Sequence, residues 1–198
     1  MMAAQKADAA VVYSGLENLS VPTTNGAGGI YLDLTKPGSS FIPTGSGTGP
    51  DEGLNTVLPG WDVNFYGSGA GNLRWAYGDG GALAVFNGAH HVAALGLGVM
   101  VDGSSLLGTY QTMVPEFTGT TAFMGVEFLN ALNNPLFGWI RITGGPTQGF
   151  PATIVDWAYD DSGAGILTGV IPEPSSLALG CLAAGAAGLV AWRKRTAA

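Results

Sequence analysis

The chain has 198 residues, enough to bury one sizeable core but not two. Its 33 glycines and its 11% of charged residues depart from the ~7% and ~25% of ordinary soluble domains, which excludes a helical bundle and favours turn-rich β structure. All fourteen Asp and Glu precede Ser175 with only Lys6, Lys36, Arg74 and Arg141 to balance them, so this part is ten charges negative and excludes nucleic acid, whose phosphates need clustered Lys and Arg.

Residues 1–9 read as the remnant of a secretory leader. Ala7-Asp8-Ala9 has the small-x-small form of a cleavage site, although no apolar leader core stands in the first thirty residues. From Ala10 to Val170 short apolar runs alternate with Gly, Pro, Asn and Asp, and helical spacing is nearly absent. Ala10 to Tyr13 opens the series. In Ile30 to Thr35 the two-residue period puts Ile30, Leu32 and Leu34 on one face and Asp33 and Thr35 on the other, and Trp61 to Phe65 repeats the scheme. Between these, Thr35 to Gly60 is dense in Gly, Ser, Thr and Pro and predicts a long surface loop.

Further strands are predicted at Leu73 to Tyr77, Leu83 to Asn87, Val92 to Val101, Ala122 to Phe128, Gly138 to Thr143 and Ala152 to Tyr159. Asp79-Gly80, Asn87-Gly88 and Asp102-Gly103 supply the hairpin turns. Glu127 to Asn133 fits either a short helical turn or a strand ending in a polar loop. The spacing of roughly ten residues predicts an all-β fold, a single antiparallel β-sandwich or jelly-roll-like domain over residues 10–170, followed by a C-terminal transmembrane helix.

Within the body nothing selects a catalytic site. His90-His91 would point to opposite faces of a strand and so would not share a metal; no Gly-x-Ser-x-Gly elbow marks a nucleophile, and the expectation is a non-enzyme without a cofactor. Asp160-Asp161-Ser162-Gly163, Asp51-Glu52 and Asp79 offer hard oxygens that would suit Ca²⁺, but none forms an EF-hand loop, and hydrophilic turns explain them as well. Trp61, Trp75, Trp139 and Trp157 would serve a sugar platform if exposed and the core if buried.

The tail carries more information. Ser175 to Trp192 is eighteen residues without a charge, followed by Arg193-Lys194-Arg195. As a helix it would cover ~27 Å, close to the ~30 Å of bilayer hydrocarbon. Three adjacent cations stop transfer and favour the cytoplasmic side, which leaves the body outside; a buried C-terminal helix of the domain is the alternative. Ahead of the span, Ile171-Pro172-Glu173-Pro174 cannot continue a strand or begin a helix, so it predicts an extended, cleavable peptide.

Motif, span and basic stop in this order resemble the PEP-CTERM sorting signal, which exosortases of Gram-negative bacteria recognise. The resemblance implies a motif at Pro172, Glu173 and Pro174, a membrane stop at Arg193, Lys194 and Arg195, and a membrane-embedded cysteine protease as partner. It further implies a protein held transiently in the inner membrane with its body on the periplasmic side, then placed at the cell surface or in the exopolysaccharide matrix. A structural or adhesive role is expected, with a carbohydrate-binding module or a secreted hydrolase as the alternatives.

Overall fold

The computed structural model describes residues 10–22, 29–36, 61–68, 71–78 and 81–171. The leader remnant 1–9, most of the predicted loop, Asp51-Glu52, Asp79-Gly80 and the whole tail from Pro172 lie outside the described residues. The described chain is all-β. Its strands are β1 (Val11–Tyr13), β2 (Leu19–Val21), β3 (Ile30–Leu32), β4 (Val63–Gly67), β5 (Leu73–Tyr77), β6 (Leu83–Val85), β7 (Met100–Val101), β8 (Leu107–Gly108), β9 (Thr121–Leu129), β10 (Pro135–Gly145), β11 (Gly149–Asp160) and β12 (Ile166–Leu167), and every pairing is antiparallel.

The long meander β9-β10-β11 forms the centre of a seven-stranded sheet ordered β1-β11-β10-β9-β6-β8, and β2 continues β1 along the same side of β11. Strand alternation decides what each face buries. Ala122, Met124, Val126 and Phe128 of β9 and Leu136, Ile140 and Ile142 of β10 enter the main core, whereas Phe137 and Trp139 enter a second, smaller cluster on the opposite face.

The β10–β11 register shifts twice, between Arg141 and Ile142 and between Thr143 and Gly145, and the first shift shapes the core. Arg141 pairs with Asp156 but Ile142 pairs with Ile154, so Val155 is an extra residue, a β-bulge. The bulge lets Ile154 and Trp157, three residues apart, both reach the main core. It also shapes the edge, because the amides of Glu17 and Asn18 both donate to the Val155 carbonyl at 2.9 and 3.1 Å where β1 gives way to β2.

A three-stranded sheet, β3-β4-β5, supplies Ile30, Leu32, Val63, Phe65, Leu73 and Trp75 to the same main core. Burying side chains of this size contributes ~1.5–3 kcal/mol each. Two buried indole N–H groups are satisfied, Trp75 donating to the Tyr110 carbonyl at 2.7 Å and Trp157 to that of Leu34 at 3.1 Å, whereas the buried Trp139 N–H has no hydrogen-bond partner.

One expectation needs correction. Val92 to Val101 is not one strand; Val92 and Leu95 make single bridges, and only Met100 and Val101 form β7, because Gly96 and Gly98, the latter at φ 76°, interrupt the run. The two-residue period of Ile30 to Leu34 holds, with Ile30, Leu32 and Leu34 in the main core, and Asp33 on the other face is buried as well, its carboxylate turned onto Thr35 and Lys36. Of the two readings of Glu127 to Asn133, the strand ending in a polar loop holds: β9 runs to Leu129, and Asn130 Oδ1 then accepts from the Leu132 and Asn134 amides to make a turn. Among the described residues no helix is long and apolar enough to cross a membrane, and the predicted span 175–192 falls outside them.

Candidate functional site

The chain leaves the described body at β12. Thr168, the residue after this strand, is fully buried; its hydroxyl donates to the Gly96 carbonyl at 2.6 Å and accepts from the Val99 amide at 2.9 Å. Its own amide donates to the Val99 carbonyl, and Gly98 donates to the Thr168 carbonyl. Two turns, each adjoining one strand of the β7–β12 pair, are thus tied through one threonine. Gly169, at φ 78°, turns the chain beneath Leu97 in a left-handed conformation that residues with a Cβ adopt only under strain. Val170 and Ile171 follow, both exposed.

Two charged clusters brace the sheet. Asp156 is wholly buried and accepts from Arg141 Nε at 2.8 Å, from Arg141 Nη2, and from the Tyr13 hydroxyl at 2.8 Å. Burial, and then that bond to Asp156, push the Tyr13 hydroxyl up to about 12. Beside Trp157, whose indole N–H donates to the Leu34 carbonyl, Asp62 Oδ2 accepts from the Leu34 amide at 2.7 Å while Asp33 holds Lys36 and Thr35. Burial, with the Asp33 charge adding to it, pushes the Asp62 carboxyl up to about 7.

The histidines diverge. His90 stacks on Tyr110 with ring centres 4.5 Å apart and planes 4° from parallel, while His91 Nδ1 sits 3.1 Å from both Glu116 oxygens. Burial alone would raise Glu116, but its own amide, Asn87 and His91 outweigh it and hold the carboxyl below its ordinary range. Among the described residues no Ser, Thr or Cys side chain hydrogen-bonds to either imidazole, and no three His, Cys, Asp or Glu side chains converge as metal ligands. The Asp160 carboxylate closes its own turn by accepting from the Ser162 amide and hydroxyl, and Asp161 accepts from the Ala10 amide at 3.0 Å.

What the body delivers, then, is a firmly tied end from which the tail departs, and the tail itself is recognisable. Residues 170–195 match the PEP-CTERM protein-sorting motif family. The chain carries a PEP-CTERM sorting signal. No curated protein and no solved structure matches the chain. The signal implies an exported, membrane-transited protein destined for the cell surface and processed by an exosortase.

The PEP-CTERM match begins on Val170 and Ile171, the last described residues, and continues through Pro172, Glu173 and Pro174 to Arg193, Lys194 and Arg195, which lie outside the described residues. Trp61, Trp75, Trp139 and Trp157 are all buried, so they form no sugar-stacking face. Sequence reasoning missed β2, β8, β12 and Thr168. Each strand is only two or three residues long, too short for a period to register, and a lone Thr between Leu167 and Gly169 looks like any turn residue.

Proposed function

We propose that the body is a non-enzymatic β-sandwich of the cell envelope or extracellular matrix, structural or adhesive in role. It is anchored transiently by the span 175–192 and cut by an exosortase near Pro172 to Pro174. The observation that carries this reading is the sorting-signal match at residues 170–195, placed directly after a body whose described end is exposed at Val170 and Ile171. Before processing the body lies on the periplasmic side of the inner membrane, with Arg193, Lys194 and Arg195 remaining cytoplasmic. Afterwards it resides at the cell surface or within exopolysaccharide. In this reading no cofactor takes part.

Expression of the wild type and of Glu173→Ala in an exosortase-bearing host, followed by mass measurement of the exported protein, tests the proposal. The wild type should lose its tail and the variant keep it; equal, unprocessed masses for both overturn it.

A second reading, a body that binds exopolysaccharide, draws on the aromatic group of Tyr110, His90 and Phe86, in which Tyr110 remains 40% exposed. Flat rings at the surface can stack on sugar faces. Glycan-array binding by the wild type that disappears in Tyr110→Ala would select this reading over a purely structural one.

A further inference from the structure

Eleven large apolar side chains are exposed among the described residues, and six of them fall in one structural unit: Leu97, Val99 and Met100 on one segment, Leu167, Val170 and Ile171 on the other. Single exposed apolar residues are ordinary, whereas a concentration of them at one place marks a surface that meets something apolar. The two segments are not loosely apposed. Met100 pairs with Leu167 in the β7–β12 ribbon, and buried Thr168 bonds both Gly96 and Val99. Leu97 is 78% exposed and Met100 49%, so side chains as greasy as those of the core are held in water by a rigid frame.

Charge and position say what covers them. Residues 92–101 and 162–171 contain no Asp, Glu, Lys or Arg, in a body that is otherwise ten charges negative and would be repelled by anionic headgroups. Ser175, where the uncharged stretch begins, is only four Cα steps beyond Ile171. Fully extended, they reach at most about 14 Å. The polar headgroup layer on each side of the hydrocarbon is about 5–8 Å deep. With the span inserted, Ile171 is therefore held within about 6–9 Å of the headgroup surface, close enough for this unit to meet it.

We propose that the β7–β12 unit is a membrane-contact surface: Leu97, Met100, Leu167 and Ile171 dip into the boundary between headgroups and acyl chains, and so fix the body's orientation while the motif is presented for cleavage. The contact is apolar and insensitive to salt, as expected of side chains that insert without cationic help. It rests on the anchoring reading above.

The test uses the full chain in phosphatidylcholine nanodiscs. A nitroxide is attached at native Cys181 or, in a Cys181→Ser background, at Leu97→Cys, Leu167→Cys or Leu16→Cys, the last being exposed on the β1–β2 connection. Power-saturation EPR compares collision with oxygen, which concentrates in lipid, against a water-soluble nickel chelate. Labels at Leu97 and Leu167 should shift toward oxygen while the Leu16 label stays aqueous, and adding Met100→Asp should return the Leu167 label toward water.

An aqueous Cys181 label overturns the anchoring reading and the contact surface with it. A lipid-buried Cys181 label beside aqueous labels at Leu97 and Leu167 overturns the contact surface alone. So does a surface that becomes covered only when an exosortase is reconstituted alongside, since the occupant would then be protein.

Discussion

Thr168 and Gly96 lie 72 residues apart in the chain, and the threonine hydroxyl donates to the glycine carbonyl at 2.6 Å inside a site that admits no water-facing surface to Thr168. Replacing Thr168 by the isosteric Val strands the Gly96 carbonyl and the Val99 amide at once. Each unmade buried bond costs ~1–3 kcal/mol. Urea unfolding should show Thr168→Val destabilised by about that much, while Thr168→Ser, which keeps the hydroxyl and loses a methyl, stays within about 1 kcal/mol. Equal midpoints for Val and wild type would remove the clamp from the account.

Gly125 of β9 sits where the β7 segment crosses the sheet. A Cβ added there would stand 2.7 Å from Val85 Cγ2, 2.9 Å from Val101 Cγ2 and 3.1 Å from Leu95 Cδ1. Gly125→Ala should therefore destabilise by ~1–3 kcal/mol through overpacking, despite the better strand propensity of Ala. The companion variant Gly125→Ala/Val101→Ala removes one of the clashing methyls and should recover part of the loss. Thermal unfolding that ranks the double variant below Gly125→Ala contradicts this packing.

How far these features were legible beforehand depends on their length and on what supplied the signal. β9, β10 and β11, nine to twelve residues long, announced themselves because the six to eight residues of Ala122 to Phe128, Gly138 to Thr143 and Ala152 to Tyr159 outweigh local noise. Ile30 to Thr35 was legible as a strand but not as a surface: both faces are covered, and Asp33 is kept inside by Thr35 and Lys36, a compensation that alternation cannot reveal. The sorting signal was readable because motif, span and basic stop are contiguous. Thr168 and the apolar unit were not, since they join residues 96–100 to 166–171 and no local pattern encodes a pairing at that separation.

Arg141 and Asp156 are register partners on β10 and β11, but their exposures differ: the guanidinium side chain is 34% exposed and the carboxylate 1%. Removing the cation therefore leaves a buried anion with only Tyr13 to bond, whereas removing the anion leaves a cation that can turn to water. Arg141→Met should be destabilised by roughly 3 kcal/mol, the low end for a broken buried pair given the partial screening, and Asp156→Asn by less. Unfolding in urea, which does not screen charge, gives the order. If Asp156→Asn proves the worse of the two, the asymmetry argued here is wrong.

Asp62 makes stability depend on pH in a defined direction. Its carboxyl is pushed up to about 7, first by burial and then by the Asp33 charge, so the fold prefers the neutral form. The resulting stabilisation is complete below the ordinary carboxylate value of about 4 and disappears as pH rises through about 7. Asp62→Asn imitates the neutral acid at every pH and keeps an oxygen for the Leu34 amide. Urea midpoints should thus coincide for the two proteins near pH 4, part progressively as pH rises to about 7 and keep a constant gap above it, with the variant the more stable by a few kcal/mol. Parallel profiles across that window would show that Asp62 is not the group responsible.

In the anchoring we propose, the stretch Ser175 to Trp192 is rich in Ala and Gly and only weakly apolar, so hydrophobicity by itself would hold it in a bilayer poorly. The halt must come from the three cations, because each Arg or Lys drawn to the centre of the hydrocarbon costs ~2.5–3.5 kcal/mol. Replacing Arg193, Lys194 and Arg195 together by Gln removes that barrier while leaving Pro172, Glu173 and Pro174 unchanged. The expected result in an exosortase-bearing host is full-length protein in the soluble exported fraction and a loss of the alkali-resistant membrane form, because a span that slips through never presents its motif to the enzyme. Membrane retention equal to that of the wild type would mean that the apolar stretch alone suffices, and the role given to the basic stop would fall.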